Sequence, residues 1–181
     1  MTKEEYEHNV RKMIGHRISR VQYHELLYIN DDDSVLEEPQ WHWSVDFDSL
    51  DHGLELEMKD GSIFHITWGG EFYQYGVSIL TQVFEYTDMV RIWDVTEYSR
   101  WKPLLGMAIT SIDIAWSTIW NNDGSIHAEY PQDLRILFEN DRYVYISALE
   151  LWIDGSHSNA QDHITVFFNQ TDAEAYNIGP F

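Results

Sequence analysis

The chain has 181 residues, enough for one ordinary domain or for two small modules that share a core. Its 31 acidic residues outnumber its 11 basic ones, so the formal net charge is −20. With 44% hydrophobic and 15% aromatic residues the chain can still bury a sizeable core, and we expect a folded protein that carries its charge on the surface. This charge excludes a binder of nucleic-acid phosphates, which needs clustered Lys and Arg, and it argues against docking on an anionic membrane.

Cysteine is missing from the sequence, which excludes disulfides, thiolate zinc sites and cysteine nucleophiles. Residues 1–15 are charged and lack the apolar stretch of a secretory signal. The unbroken apolar runs are also too short to span a membrane. These features predict a cytoplasmic protein.

The first predicted element is a helix. Thr2 and Glu5 have the spacing of a capping box, in which a hydroxyl and a carboxylate bind free amides of the first turn. Gly15 is expected to end the helix. Apolar side chains recur on one helical face at Tyr6, Val10, Met13 and Ile14.

A β-hairpin is predicted next, over residues 54–68. Apolar residues alternate with Glu55 and Glu57, and Asp60-Gly61 is typical of a tight turn. On the second strand, His65 alternates with apolar neighbours and is expected to face outward. Residues 77–80 continue as a further strand.

The second half follows the same order. Residues 105–112 resemble 14–21, and residues 134–146 resemble 54–66. Asp94 and Glu97 repeat the helix-start spacing, and Gly106 closes this second helix. Later strands are predicted at 112–116, 134–138, 144–148 and 164–168.

Short turns between successive strands imply antiparallel pairing. We therefore predict an α+β fold, a tandem duplication of a helix followed by an antiparallel meander sheet. The two copies would pack as one pseudo-symmetric unit over residues 1–181. The first copy spans 1–86 with an acidic insertion near 30–52, and the second spans 87–181.

The acidity is concentrated in this insertion and its surroundings. Twelve of the 31 acidic residues and a single lysine lie between Glu25 and Asp60. We predict a recognition surface, the alternative being a solvated loop that keeps the protein soluble. Trp41 and Trp43 would share a strand face, either anchoring a partner or packing in the core. The predicted partner-binding residues are Asp31, Asp32, Asp33, Glu37, Glu38, Trp41, Trp43, Asp46, Asp48 and Asp51.

No motif predicts a catalytic or metal centre. An EF-hand loop that begins at Asn30 fails, because Val35 and Trp41 occupy the positions of its glycine and glutamate. The histidines near residues 42–52 and 157–163 lack the usual ligand spacing and are interpreted as surface or turn residues. We predict no cofactor and no metal.

These features favour a non-enzymatic module that captures a basic protein through an acidic and aromatic surface. In size and acidity the chain is similar to small acidic immunity proteins of bacteria, which block a cationic enzyme; this likeness rests on no shared motif. One alternative is a small-ligand module, for a carbohydrate, with Trp and Tyr at the junction of the two repeats. A hydrolase that uses paired carboxylates and a structural or homo-oligomeric protein are further alternatives.

Overall fold

A computed structural model of the chain describes residues 1–29, 32, 35, 37–41, 44–72, 74–81, 89–151, 157–159 and 161–181. These residues form mainly antiparallel β-strands, with one α-helix near each end of the chain, α1 (Lys3–Arg11) and α2 (Gln170–Ala175). No helix among them is long and apolar enough to cross a membrane. The strands, in chain order, are β1 (Ile18–Leu26), β2 (Phe47–Leu50), β3 (Gly53–Met58), β4 (Ile63–Phe72), β5 (Gln74–Leu80), β6 (Val90–Asp94), β7 (Ile109–Trp120), β8 (Ile126–Phe138), β9 (Tyr143–Ser147), β10 (Leu149–Leu151), β11 (His157–Asn159) and β12 (Ile164–Phe167).

The strands form two five-stranded sheets and a small two-stranded one. The first sheet has the spatial order β5-β4-β3-β1-β6, and the second has the order β2-β12-β9-β8-β7. Strands β10 and β11 pair separately. Four of the nine pairs, β3–β4, β4–β5, β7–β8 and β8–β9, join consecutive strands through short turns, and every pair among the described residues is antiparallel.

The capping box and the first hairpin are confirmed. The Thr2 hydroxyl accepts a hydrogen bond from the Glu5 amide (3.2 Å), and the Glu5 carboxylate accepts one from the Thr2 amide (2.7 Å). Between β3 and β4 the chain turns at Gly61, which has a φ of +84° and donates to the Met58 carbonyl over 2.9 Å. Since L side chains rarely adopt this φ, glycine suits the turn.

One apolar core joins the two large sheets. It contains Leu56 and Ile66 from the first sheet and Ile136 and Ile146 from the second, all at most 1% exposed. The sheets are also linked by backbone hydrogen bonds of 2.8 Å, from the Gly15 amide to the Ile109 carbonyl and from the Gly106 amide to the Ile18 carbonyl. Burial of these apolar side chains supplies the main favourable free energy of folding.

The predicted α+β duplication of a helix and a meander is wrong. Residues 94–105 contain a 3₁₀ turn at Lys102–Leu104 in place of a second α-helix. Pro103 lacks an amide donor, and the Asp94 carboxylate accepts from the Thr96 amide, which forms a turn instead of a helix cap. The predicted division of strands fails as well, because β2 pairs in the second sheet and β6 in the first.

A close approach between the sheets occurs at Gly76 of β5. A Cβ added there would lie 2.7 Å from the Pro131 carbonyl oxygen of β8. We expect Gly76→Ala to lower the free energy of unfolding by about 1–3 kcal/mol, because the sheets would have to separate locally. Urea denaturation measures the loss. Gly70→Ala is the matched control, since its added Cβ would meet Tyr75 at an ordinary 3.9 Å; equal losses in the two variants would contradict the tight contact.

Candidate functional site

Three of the predicted partner-binding residues, Asp31, Asp33 and Trp43, lie outside the described residues. The structure divides the others into an exposed and a buried group. The exposed group contains Asp32, Glu37, Glu38 and Asp46. The buried group contains Trp41, Asp48 and Asp51, which are at most 8% exposed.

Trp41 is packed inside the protein. Its ring meets the rings of Tyr23 and Tyr98 edge-on, with centroids 5.0 and 5.3 Å away. Its carbonyl accepts a hydrogen bond of 3.0 Å from the Ser49 amide of β2. Of the two roles that the sequence leaves open for Trp41, this geometry supports core packing.

Asp48 belongs to a buried polar group. Its carboxylate accepts hydrogen bonds from the Tyr23 hydroxyl (2.7 Å) and from the Arg100 guanidinium (2.8 Å). Burial raises the pKa of Asp48 to about 6, against the opposing effects of Arg100 and Tyr23. The Tyr23 hydroxyl also accepts from the Trp101 indole over 2.6 Å. This carboxylate therefore joins β2 to β1 and to the chain around Arg100.

Two further buried carboxylates organise the end of β1. Asp51 accepts from the Leu26 amide (2.9 Å) and the Tyr28 hydroxyl (2.5 Å). Glu25 accepts from the Gln40 amide (3.1 Å) and the Trp93 indole (2.6 Å). Glu25 therefore attaches residues 37–41 to β1 and β6, and Asp51 fixes the chain that follows β1.

These two carboxylates also line a small cavity of about 260 Å³ where the two large sheets meet. Among the described residues, Tyr28 is the one aromatic side chain of its lining, which also contains Gln40, Ser49, Leu151 and His163. An aromatic platform for a sugar needs more ring surface than this. The carbohydrate alternative gains no support from this cavity and stays a prediction.

An exposed apolar surface lies beside the acidic residues, at the end of β1 and the start of β6. We call it the β1–β6 rim, defined by the side chains of Leu26, Tyr28, Ile29, Met89 and Ile92, each between 39% and 56% exposed. The two stretches are held together by backbone pairing, with Leu26 opposite Val90 and the Leu27 amide donating to the Met89 carbonyl over 2.7 Å. Strand β6 is also an edge strand of its sheet.

Acidic side chains also lie close to β6. Glu37 pairs with Arg91 of β6 at 3.4 Å, although its side chain is 81% exposed. Arg91 stands opposite Glu25, on the sheet face opposite to Leu26 and Ile92, and Glu38, the next residue along the chain, is exposed. The apolar half of this surface was not among the predicted partner-binding residues. Its signal in the sequence is the run Leu26-Leu27-Tyr28-Ile29, which stands directly before the acidic segment.

A second group, on the first sheet, could hold a metal ion. Among the described residues, His24, Glu55 and His65 offer ligand atoms that all lie within 4.8 Å of one another. His65 was predicted to face outward. Its side chain does lie on the sheet face opposite to the core residues Phe64 and Ile66, but it is 0% exposed, so the prediction of an exposed histidine is wrong. The three residues come from three strands, so their spacing along the chain carries no ligand motif.

The charge state of Glu25 predicts a pH dependence. Burial raises the pKa of Glu25 to about 7, and the nearby Asp51 adds to the rise, whereas the bonds from Trp93 and Gln40 oppose it. The folded chain thus holds this proton more tightly than the unfolded chain, so the contribution of Glu25 to stability falls as the pH rises through about 4.5–7. Between pH 5 and 8 we expect the wild type to lose up to about 3 kcal/mol more than Glu25→Gln, which cannot ionise.

Urea unfolding from pH 5 to 8 measures this difference. The exposed Glu38→Gln is the control and should keep the slope of the wild type. Equal slopes for the wild type and Glu25→Gln would show that Glu25 does not titrate in this window.

No profile of a known protein family, no curated protein and no solved structure matches this chain.

Proposed function

We propose that this chain is a protein-binding module that captures a basic protein on the β1–β6 rim, in the manner of an immunity protein that blocks a cationic enzyme. The observation that carries the proposal is the rim itself, five exposed apolar side chains at one edge of the first sheet, with the exposed Glu37 paired to Arg91 of the same edge strand. Protein interfaces combine such an apolar centre, often with a tyrosine, and a polar border.

The charge of the chain supports a basic partner. With a net charge of −20 it attracts cationic surfaces over a Debye length, about 8 Å at physiological salt. Opposite charges speed encounter and exclude partners of like charge, whereas the apolar centre sets how long the complex lasts. Asp32, Glu37, Glu38 and Asp46 are exposed and suited to steering.

The buried residues of the predicted set have a supporting role in this proposal. Trp41, which follows Glu37 and Glu38 in the chain, is 7% exposed and fixes that segment against Tyr23 and Tyr98. Asp51 holds Tyr28 through its hydroxyl, which orients one member of the rim. We infer that these residues present the docking surface without touching the partner.

Differential capture tests the proposal. The full chain, coupled to resin, is exposed to lysate of its own cells at low salt, together with a rim variant, Ile29→Asp/Met89→Asp, and a control, Glu97→Lys/Asp123→Lys. The control changes two exposed acidic residues outside the rim. We expect a basic protein to bind the wild type and the control, to be shed at high salt and to be missing from the rim variant. Capture that all three share, or loss in the control alone, would contradict docking on the rim.

Once a partner is identified, association kinetics test the role of charge. The triple variant Glu37→Gln/Glu38→Gln/Asp46→Asn should bind about tenfold more slowly at low salt and show a flatter salt dependence, with dissociation little changed. Stopped-flow mixing at several salt concentrations gives both rates. Association that is unaffected by the triple variant would remove the charge-steering part of the proposal.

A further inference from the structure

The first sheet carries a compact polar group on the face opposite its core side chains. Glu55 of β3 stands directly opposite His65 of β4 and opposite Gln22 of β1. His24 lies two residues beyond Gln22 on the same face of β1, opposite Gly53. Glu55 lies two residues beyond Gly53 on β3, so His24 and Glu55 are diagonal neighbours on this face.

Distances and burial make this group compact. One ligand atom from each of His24, Glu55 and His65 lies within 4.8 Å of the other two. The rings of His24 and His65 are 4.9 Å apart between centroids, and His52 lies next to them, 6.3 Å from His24 and 6.0 Å from His65. His24 and His65 are 0% exposed, and Glu55 is 7% exposed.

The buried carboxylate adds the charge that such a site requires. A carboxylate oxygen is an established ligand of divalent cations, and its negative charge offsets part of the charge of the ion. Ligand atoms on one tetrahedral Zn²⁺ lie about 3.4 Å apart, so the three side chains must approach one another by up to about 1.4 Å to share a single ion.

We propose that His24, Glu55 and His65 bind one zinc-class divalent cation on the outer face of the first sheet. Two imidazoles and one carboxylate form a common zinc ligand set, which leaves a fourth coordination position open. This site ties β1, β3 and β4 together. His24 stands opposite the rim residue Ile92, but none of the three ligands is a rim side chain, so the two proposals can be tested with different variants.

Zinc titration of the full chain, purified without a histidine tag and stripped with a chelator, tests the site. We expect one Zn²⁺ per chain by elemental analysis after dialysis at pH 7.5. At about 100 times the Kd, the thermal midpoint should rise by roughly 5–10 °C. Co²⁺ as a probe should show the visible absorption of a four-coordinate ion.

Three variants separate this site from adventitious binding. Glu55→Gln keeps the shape of the side chain, and His65→Asn removes one imidazole; each should weaken Zn²⁺ binding at least about tenfold. His8→Asn, on the exposed face of α1, is the control and should bind as the wild type does. Circular dichroism checks the folding of each variant, and if His65→Asn does not fold, Glu55→Gln decides.

Two results would overturn the proposal. One is the lack of stoichiometric Zn²⁺ binding to the folded wild type. The other is binding that Glu55→Gln and His65→Asn both retain at full affinity, which would place the ion elsewhere. Neither result bears on capture of a basic protein, which is tested with rim variants.

Discussion

Replacing Arg100 with Met is expected to lower the free energy of unfolding by about 3–5 kcal/mol at pH 8. The Arg100 guanidinium donates to the Asp48 carboxylate, which is 0% exposed, and also to the carbonyls of Ser44 (3.2 Å) and Val45 (2.5 Å). Without Arg100 the carboxylate keeps the Tyr23 hydroxyl as a donor but loses its counter-charge. An uncompensated charge in the interior is among the costliest defects that one substitution creates.

The loss should be smaller at pH 5 than at pH 8. Burial already raises the pKa of Asp48 to about 6 with Arg100 in place, and removal of the cation raises it further. At pH 5 the carboxyl group of the variant is protonated, so no bare charge stays in the core. Urea unfolding at the two pH values measures the difference.

A surface ion pair provides the control for this prediction. Arg20 pairs with Asp94 at 2.9 Å, but their side chains are 46% and 50% exposed. We expect Arg20→Met to cost about 0–1 kcal/mol, as is usual for solvated pairs. A similar loss in both arginine variants would mean that the Asp48 carboxylate is not held as a buried charge.

Trp41→Ala is expected to lower the free energy of unfolding by about 3–5 kcal/mol. Trp41 is 7% exposed and packs edge-on against Tyr23 and Tyr98, so truncation leaves a cavity of nearly indole size. Trp120→Ala is the matched control. Its ring is 61% exposed at the end of β7, and its loss should change stability by no more than about 0.5 kcal/mol.

A milder substitution, Trp41→Phe, separates core packing from contact with the partner. Trp41→Phe keeps an aromatic ring between the two tyrosines and should retain affinity for an identified partner. If folded Trp41→Phe lost that affinity, Trp41 would contact the partner directly, as the sequence analysis proposed. Denaturation curves and binding isotherms on the same samples make this distinction.

Features that depend on neighbouring residues were predictable from the sequence. The capping box of Thr2 and Glu5 and the turn at Gly61 occur as predicted, and Leu54, Leu56 and Met58 are buried. Each depends on hydrogen bonds or on strand periodicity within a few residues, so a short stretch of chain contains its cause. The predicted half-buried alternation is wrong at Glu55, which is 7% exposed.

The second helix and the placement of two strands were not predictable in this way. A helix over residues 94–105 satisfies the start and stop signals, yet Asp94 caps a turn at Thr96 and pairs with Arg20 across the sheet. Strand β2 joins β12, more than a hundred residues later, because its partners are chosen by the tertiary core. Local propensity carries no information on such distant pairing.

By itself, the sequence determined an acidic folded protein of antiparallel strands, since charge and alternation can be read residue by residue. Only the tertiary structure decided which acidic and aromatic residues face outward. Asp48, Asp51 and Trp41 turn inward, while Leu26, Ile29 and Glu37 remain exposed. The tertiary structure alone also brings His24, Glu55 and His65 together. Packing across the whole sheet sets the strand register, and this register places residues of β1, β3 and β4 side by side.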